Sequence, residues 1–384
     1  MSKISQLLLR SFRCVESLEY QPGPHLNFLI GENAQGKTSI LEAVCVLLRL
    51  KSPRTANLAE MVRFGGSGFG LEGLLEDERN GFLKKSQPSL RGNVTGSNGT
   101  MGIMESDGTP NRFRLALSCT PPDRVLRIDG VPQSSSSEYL SKARIVWFGI
   151  DDLSLVNGPA ELRRKLLDSI GLQIEGNYGR DLKTYDRALR SRNLLLREGR
   201  PRNEIEAYDR PLTQAGEGLM AARRKIVSDL AQLAQDSCIS ISGEALGINY
   251  LPGADAPLLE ALERSRSEEI RLRQTRVGPQ RDDVGIELNG IPSAPFASEG
   301  QRRTVALSLK LAVSSLLTRE NGVPPLLLLD DIFGELDQGR RDALLKGMPH
   351  GSQAFLSTTD LSGIIPPGDC VIHRMERGTP TRIS

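Results

Sequence analysis

The spacing of apolar positions divides the chain into three stretches with different periods. Met1-Ser2-Lys3 runs straight into a strand-like pattern. The run Leu26 to Ile30 then passes through a glycine-bounded turn into Thr38 to Leu50, where apolar residues recur at helical spacing, so strand, loop and helix are expected in that order. Residues 68 to 148 alternate short apolar segments with clusters of Gly, Asn, Ser and Pro. Arg124 to Val131 carries an Asp129-Gly130 turn signal, and this part predicts hairpins and a β-rich lobe. Further on, Leu162 to Leu172, Leu182 to Leu196 and Met220 to Ala234 repeat apolar residues along one helix face. Residues 152 to 275 therefore read as an inserted helical arm, with Pro211 expected to interrupt its second helix. The period changes again near the C-terminus. Thr304 to Leu317, rich in Ala and Leu, predicts a helix; Leu326 to Leu329 predicts a parallel strand buried on both faces, and Gln353 to Ser357 another short strand. The expected fold is α/β and discontinuous, with half of a head plus the β lobe in 1–150, the arm in 151–275 and the returning half in 276–384. Residues 84 to 110 and Ser134 to Ser137 read as loosely ordered loop.

The turn after Leu26 to Ile30 is a complete phosphate-binding loop, Gly31-Glu32-Asn33-Ala34-Gln35-Gly36-Lys37-Thr38. Four residues between the glycines let the backbone curl so that its N–H groups converge on phosphate oxygens. Lys37 reaches the outer phosphates as a point charge, Thr38 offers a hydroxyl to Mg2+, and the following helix turns its positive dipole end to the anion. The acidic partner stands at the end of the strand Leu326 to Leu329, where Asp330-Asp331 falls on the carboxyl edge that places ligands in such sheets. Asp330 is the expected Mg2+ partner of ATP, and Asp331 is the candidate to orient or polarise the attacking water.

Between these motifs lies Ser298-Glu299-Gly300-Gln301 with the basic pair Arg302-Arg303, opening the Ala/Leu-rich helix. Taken alone, Ser298 reads as a plain helix cap. In chain order the tetrapeptide resembles the signature motif of ATP-binding-cassette (ABC) ATPases, in which serine, glycine and helix N-terminus of one subunit cover the γ-phosphate held by the other. The resemblance extends to Glu335-Leu336-Asp337 as the D-loop and to Thr358-Thr359-Asp360 as the place of the switch residue, here Thr358. It then narrows to the bacterial RecF family of DNA repair proteins, relatives of the heads of Rad50 and SMC proteins. Leu7 to Arg13, Leu41-Glu42-Ala43 after the loop, Ser52-Pro53-Arg54-Thr55, Asp151-Asp152-Leu153, Gly158-Pro159 with Arg163-Arg164, and Gly278-Pro279-Gln280-Arg281-Asp282-Asp283 all resemble blocks of that family. Three departures stand out: Glu299 replaces a usual Gln, Gln280 a usual His, and residues 84 to 110 are rich in Gly, Ser and Asn. The resemblance implies an ABC-type P-loop ATPase head with a β-rich lobe and an inserted α-helical arm. It also implies a slow Mg-dependent ATPase that forms an ATP-dependent homodimer, binds double-stranded DNA at single-strand gaps, and works with RecR and RecO to load recombinase.

Composition changes this picture little. Hydrophobic residues make up 38% and charged residues 25%, and no apolar run approaches the ~20 residues of a membrane span. Met1-Ser2-Lys3 leads into a strand-like pattern without a leader's apolar core, so no membrane association and a cytoplasmic location are expected. The five cysteines are widely spaced without a Cys-x-x-Cys pair, and His25, His350 and His373 lie outside metal-ligand spacing, so Mg2+ held with ATP is the one ion expected.

A formal net charge of +2 makes no global case for nucleic acid, so its distribution has to. Arginines concentrate from Arg163 through Arg202 and again near the signature. On charge alone a solvated helix face is the favoured reading, and the resemblance makes Arg163, Arg164, Arg187, Arg190, Arg302 and Arg303 the candidates for DNA phosphate contacts. Two readings from other classes stay open: an ATP-gated protein scaffold that does not touch DNA, and a transporter-type ABC ATPase subunit.

Overall fold

The computed structural model describes residues 2–77, 111–361 and 369–383. In chain order the elements are β1 Ser2–Phe12, β2 Val15–Tyr20, β3 Leu26–Ile30, α1 Lys37–Arg49, β4 Phe69–Asp77, β5 Asn111–Thr120, β6 Asp123–Ile128, β7 Val131–Pro132, α2 Ser136–Ser141 and β8 Ile145–Gly149. There follow α3 Ala160–Ile174, α4 Tyr178–Glu198, α5 Arg202–Glu206, α6 Asp209–Ser242, β9 Leu246–Leu251, α7 Leu258–Leu272, β10 Asp283–Leu288, β11 Ile291–Pro292, α8 Ser293–Phe296 and α9 Glu299–Asn321. The chain closes with β12 Leu326–Asp330, α10 Gln338–Gly347, β13 Ala354–Thr358, β14 Val371–Glu376 and β15 Thr379–Arg382. The expected loop 84–110 lies outside the described residues.

These elements form two units, each discontinuous in sequence. The first comprises Met1–Trp147, Gly322–Asp330 and His350–Ser384; the second comprises Phe148–Asn321 and Asp331–Pro349. In the first unit β1 alternates buried Leu7 and Leu9 with outward Arg10, the signature of a sheet with one face on the core. It belongs to a sheet ordered β2-β1-β4-β5-β6-β7, antiparallel throughout. The other large sheet runs β15-β14-β3-β13-β12-β8, with β14, β3, β13 and β12 parallel. Helix α1 is buried almost all round: Ile40, Leu41, Val44, Leu47 and Leu48 join one core with Leu71 and Leu75 of β4, Leu326 and Leu328 of β12 and Phe355 of β13. Each such side chain contributes about 1.5–3 kcal/mol on burial. A Cβ on Gly73 would lie 2.7 Å from Leu47 Cδ2, so β4 has no side chain where the helix approaches it.

The second unit packs α4, α6 and α7 through Tyr185, Ala188, Leu212, Ala215, Leu219, Leu258 and Leu262. Pro211 does not interrupt a helix: α6 starts at Asp209, which puts the proline in its first turn, where an amide N–H has no helical acceptor to lose. Strand β9, inside the stretch read as helical, pairs antiparallel with β10. Nor is Ser134 to Ser137 loop throughout, because Ser135 Oγ accepts the Ser137 N–H at 3.2 Å and starts α2. No helix among the described residues is long and apolar enough to cross a membrane.

Candidate functional site

The phosphate-binding loop joins the end of β3 to α1 through three left-handed or extended-glycine conformations, with φ of 153° at Gly31, 64° at Ala34 and 95° at Gly36. Gly36 is required twice over: its φ suits glycine, and a Cβ there would sit 3.2 Å from Cys14 Sγ and 3.1 Å from Gly378 Cα. The turn after β14 holds the loop from outside, since Gly378 N donates to Gln35 O at 2.9 Å and Arg377 N to Gln35 Oε1 at 2.7 Å. Nothing in the sequence pointed to Arg377 and Gly378; their role follows from β14 lying beside β3 in the sheet.

Lys37 is buried, its Nζ donating to Gly31 O at 2.5 Å and Glu32 O at 2.8 Å. Thr38 Oγ1 donates to Asp330 Oδ1 at 2.8 Å, and Ser357 Oγ donates to the same oxygen at 2.8 Å. Residues from both ends of the chain thus meet at the carboxyl edge of parallel strands β12 and β13, where Asp330 is in register with Ser357. Ser357 was missed in the sequence because one serine at a strand end carries no signal of its own.

The residues fit a magnesium nucleotide. The helix that should receive phosphate starts from a glycine, which has no side chain to cap it, and its first turn holds no acid. The hydroxyl of Thr38 and the carboxylate of Asp330 are hard oxygen donors of the kind Mg2+ takes alongside phosphates. Thr358, buried at the end of β13, turns its Oγ1 to Asp360 O at 3.0 Å. Asp331 has φ 55° and opens the 3-10 turn Ile332–Glu335.

In the second unit the signature segment is a helix start held by its own side chains. Ser298 Oγ accepts the Gln301 N–H at 3.3 Å while Gln301 Oε1 accepts the Ser298 N–H at 2.9 Å, a reciprocal capping box. The cap and signature readings are therefore compatible. Gln301 Nε2 also donates to Glu244 Oε1 at 2.7 Å. Glu299, the departure from the family pattern, pairs one turn on with Arg303 at 2.6 Å. Asp337 caps α10 by accepting Arg340 N–H at 2.9 Å, and that bond, with the Arg340 charge beside it, holds its carboxyl below the usual range. Arg340 Nε reaches buried Thr304 Oγ1 at 2.8 Å, and its Nη2 lies 3.2 Å from where a Cβ on Gly300 would be. Arg303 bridges Glu299 and Glu335. The signature helix and the D-loop are strapped together by two arginines.

The arginines expected to face DNA separate into two groups. Arg163 makes a bidentate pair with Asp283, at 2.6 and 3.0 Å, and also caps Leu155 O and Gly158 O. Arg164 donates to Asp282 O at 2.8 Å. The Gly278 to Asp283 block thus folds back on α3 and engages both guanidinium groups, Arg163 through the Asp283 carboxylate and Arg164 through the Asp282 main-chain carbonyl. Arg223 completes the anchor on Asp168 and Asp282 at 2.7 and 2.8 Å. Gln280, the second departure, is held by the Tyr185 hydroxyl and by Val277 O. Arg303 is engaged as described, and Arg302 turns toward Ala294 O at 3.4 Å. Arg187 and Arg190 stand exposed on α4.

Comparison with known proteins agrees with this architecture. Residues 6–100 match the model of an AAA domain. The DNA replication and repair protein RecF of Anaeromyxobacter sp. (strain Fw109-5) is 35% identical over 98% of both chains. Its namesake from Staphylococcus aureus (strain JH9) is 31% identical over 94% of each. Among solved structures, that of the recombination mediator protein RecF-ATP in the RecFOR pathway superposes with a TM-score of 0.83 at 26% identity, covering 100% of this chain and 98% of that one. An Smc head domain from Pyrococcus furiosus shares the fold, with a TM-score of 0.55 at 14% identity over 100% of this chain and 96% of that one. With an AAA-type ATPase head, a helical arm and full-length similarity to these relatives, the chain belongs to the RecF family of DNA replication and repair proteins.

Proposed function

We propose that this chain is an ATP-dependent DNA-binding protein of recombinational repair, a switch that ATP closes into a homodimer on duplex DNA near single-strand gaps. The observation that carries the reading is the bond from Thr38 Oγ1 to Asp330 Oδ1, which unites the phosphate loop with an acid 292 residues away on the ligand-placing edge of a parallel sheet. Bound Mg-ATP supplies the phosphoryl group whose loss resets the switch. Lys37 exchanges its loop carbonyls for the outer phosphates, and the amides from Gly31 to Gly36 and the start of α1 cradle them. Thr38 and Asp330 hold the Mg2+, Asp331 orients water, and Thr358 senses the γ-phosphate. Ser298 and Gly300 of one copy cover the phosphates bound by the second, with Gln301 and Asp337 fixing that edge. An aspartate in the water-orienting place sets a slow turnover, suited to a timer. RecR, with RecO, is the proposed partner for recombinase loading, and the cytoplasm the proposed location.

The test is fluorescence anisotropy of a gapped duplex in Mg-ATP and in Mg-ADP, with sedimentation of the same samples. Tighter binding and a dimer in ATP alone support the switch. Equal affinity in both states refutes ATP gating, and no binding in either leaves the protein-scaffold reading, which the net charge of +2 favours, in first place.

A further inference from the structure

The outward face of α4 carries a row of cations. Arg180, Lys183, Arg187, Arg190 and Arg197 are all exposed, and Leu194, also exposed, stands at the one remaining step. Alternating intervals of three and four residues keep all six on one helix face. Tyr178, Tyr185, Ala188, Arg192 and Leu196 are buried on the opposite face. At 1.5 Å per residue the row from Arg180 to Arg197 is about 25 Å long.

A merely solvated face would not need this pattern. Three exposed arginines of the same unit are each neutralised one helical turn away, Arg200 by Glu204, Arg202 by Glu206 and Arg264 by Glu260. Asp186 is the acid interleaved with the row, one turn from Lys183 and Arg190, and among the described residues the side chains of Lys183, Arg187, Arg190 and Arg197 show no ion pair of 4 Å or less. Arg190 and Arg197 turn their Nε groups to the carbonyls of Asp186 and Asn193, both at 3.2 Å, and Arg180 has a long 3.7 Å approach to Asp181. Like charges one turn apart destabilise a helix by a few tenths of a kcal/mol per pair, so the row persists against its own repulsion. What holds the helix is its inner face, where fully buried Arg192 is tied to Asp209 and Glu269.

We propose that this face of α4 is a rail for the phosphate backbone of duplex nucleic acid. The inference rests on the DNA reading above and narrows its location to one helix face inside the basic stretch: of the six arginines expected, Arg187 and Arg190 lie on the rail. About 25 Å corresponds to roughly seven base-pair steps of 3.4 Å. Unneutralised cations with no aromatic side chain in the row hold phosphate, without stacking on unpaired bases and without reading sequence.

The experiment measures anisotropy of a labelled gapped duplex, and of the matching single strand, against the full chain in Mg-ATP and in Mg-ADP over a range of salt. It compares wild type, the rail variant Arg187→Glu/Arg190→Glu, and the control Arg264→Glu/Arg271→Glu, which makes the same charge change on α7. The rail variant is expected to bind at least about tenfold more weakly, with a plot of log K against log salt shallower by about two, one unit for each lost phosphate contact. The control stays near wild type, and ATP hydrolysis without DNA is unchanged in both. Equal weakening of rail and control, or a rail variant with wild-type affinity and slope, overturns the rail alone. A wild type that binds no DNA in either nucleotide overturns the parent reading and the rail with it, and preference for single strands over duplex overturns the assignment of the partner.

Discussion

Replacing Arg192 with methionine tests what fixes the arm. The guanidinium is fully buried, donating to Asp209 Oδ1 at 2.9 Å, Glu269 Oε2 at 2.7 Å and Thr275 Oγ1 at 2.7 Å. Asp209 keeps Arg266 at 2.6 Å after the change, whereas Glu269, also fully buried, keeps the Arg276 N–H at 2.7 Å and no opposite charge within ion-pair reach among the described residues. Breaking a buried pair from one side costs about 3–5 kcal/mol, because the remaining carboxylate is left uncompensated. For a unit of this size that lowers the melting temperature by about 10 °C. The double variant Arg192→Met/Glu269→Leu removes the stranded charge with its partner, so most of the loss should return. Urea unfolding of the four proteins of this cycle, followed by circular dichroism, reads both numbers. A single variant within about 1 kcal/mol of wild type, or a double variant less stable than the single one, refutes the argument that Glu269 carries the cost.

Three further outcomes are expected. Asp330→Asn leaves the loop folded but removes the anionic Mg2+ partner, so hydrolysis should fall on the order of a hundredfold while nucleotide remains bound; unchanged Mg2+ dependence would contradict this. Arg340→Met releases Thr304 and uncovers Gly300, and losing a charged hydrogen bond of about 1.5–3 kcal/mol should weaken ATP-driven dimerisation roughly ten- to hundredfold with ATP affinity unchanged; Arg340→Lys should restore part of it, and sedimentation in Mg-ATP decides. His373 is buried against Tyr20, and burial, helped by the Arg382 charge, pushes its pKa down from 6.5 to about 4. Unfolding therefore takes up a proton between those values, and stability falls as pH drops from 6.5 to 4, by about 1–2 kcal/mol once solvent near the ring is allowed for. His373→Phe should flatten that slope and leave stability above pH 7 little changed; a parallel pH profile in the variant would refute the assignment.

Much of the head was legible along the chain because its chemistry is local. Gly31 to Thr38 must turn, cradle and charge-match within eight consecutive positions, and the run before Asp330 had to be a buried strand because its four leucines leave no polar face. Helical spacing likewise announced the arm, and Ser298 with Gln301 announced a helix start, because capping is decided over one turn. Tertiary structure alone decided which cations are free. Arg163 and Arg187 are the same residue type in the same basic stretch, but Asp283, 120 positions from Arg163, folds back to claim it, while among the described residues no acid is paired with exposed Arg187. Ser357 and the Arg377-Gly378 turn acquire their places at the loop through sheet order, and Arg340 meets Gly300 through helix packing. The reason is physical: turn geometry, periodicity and caps are set by neighbours in sequence, whereas the partner of a charge is set by whichever distant group the fold brings within about 3 Å.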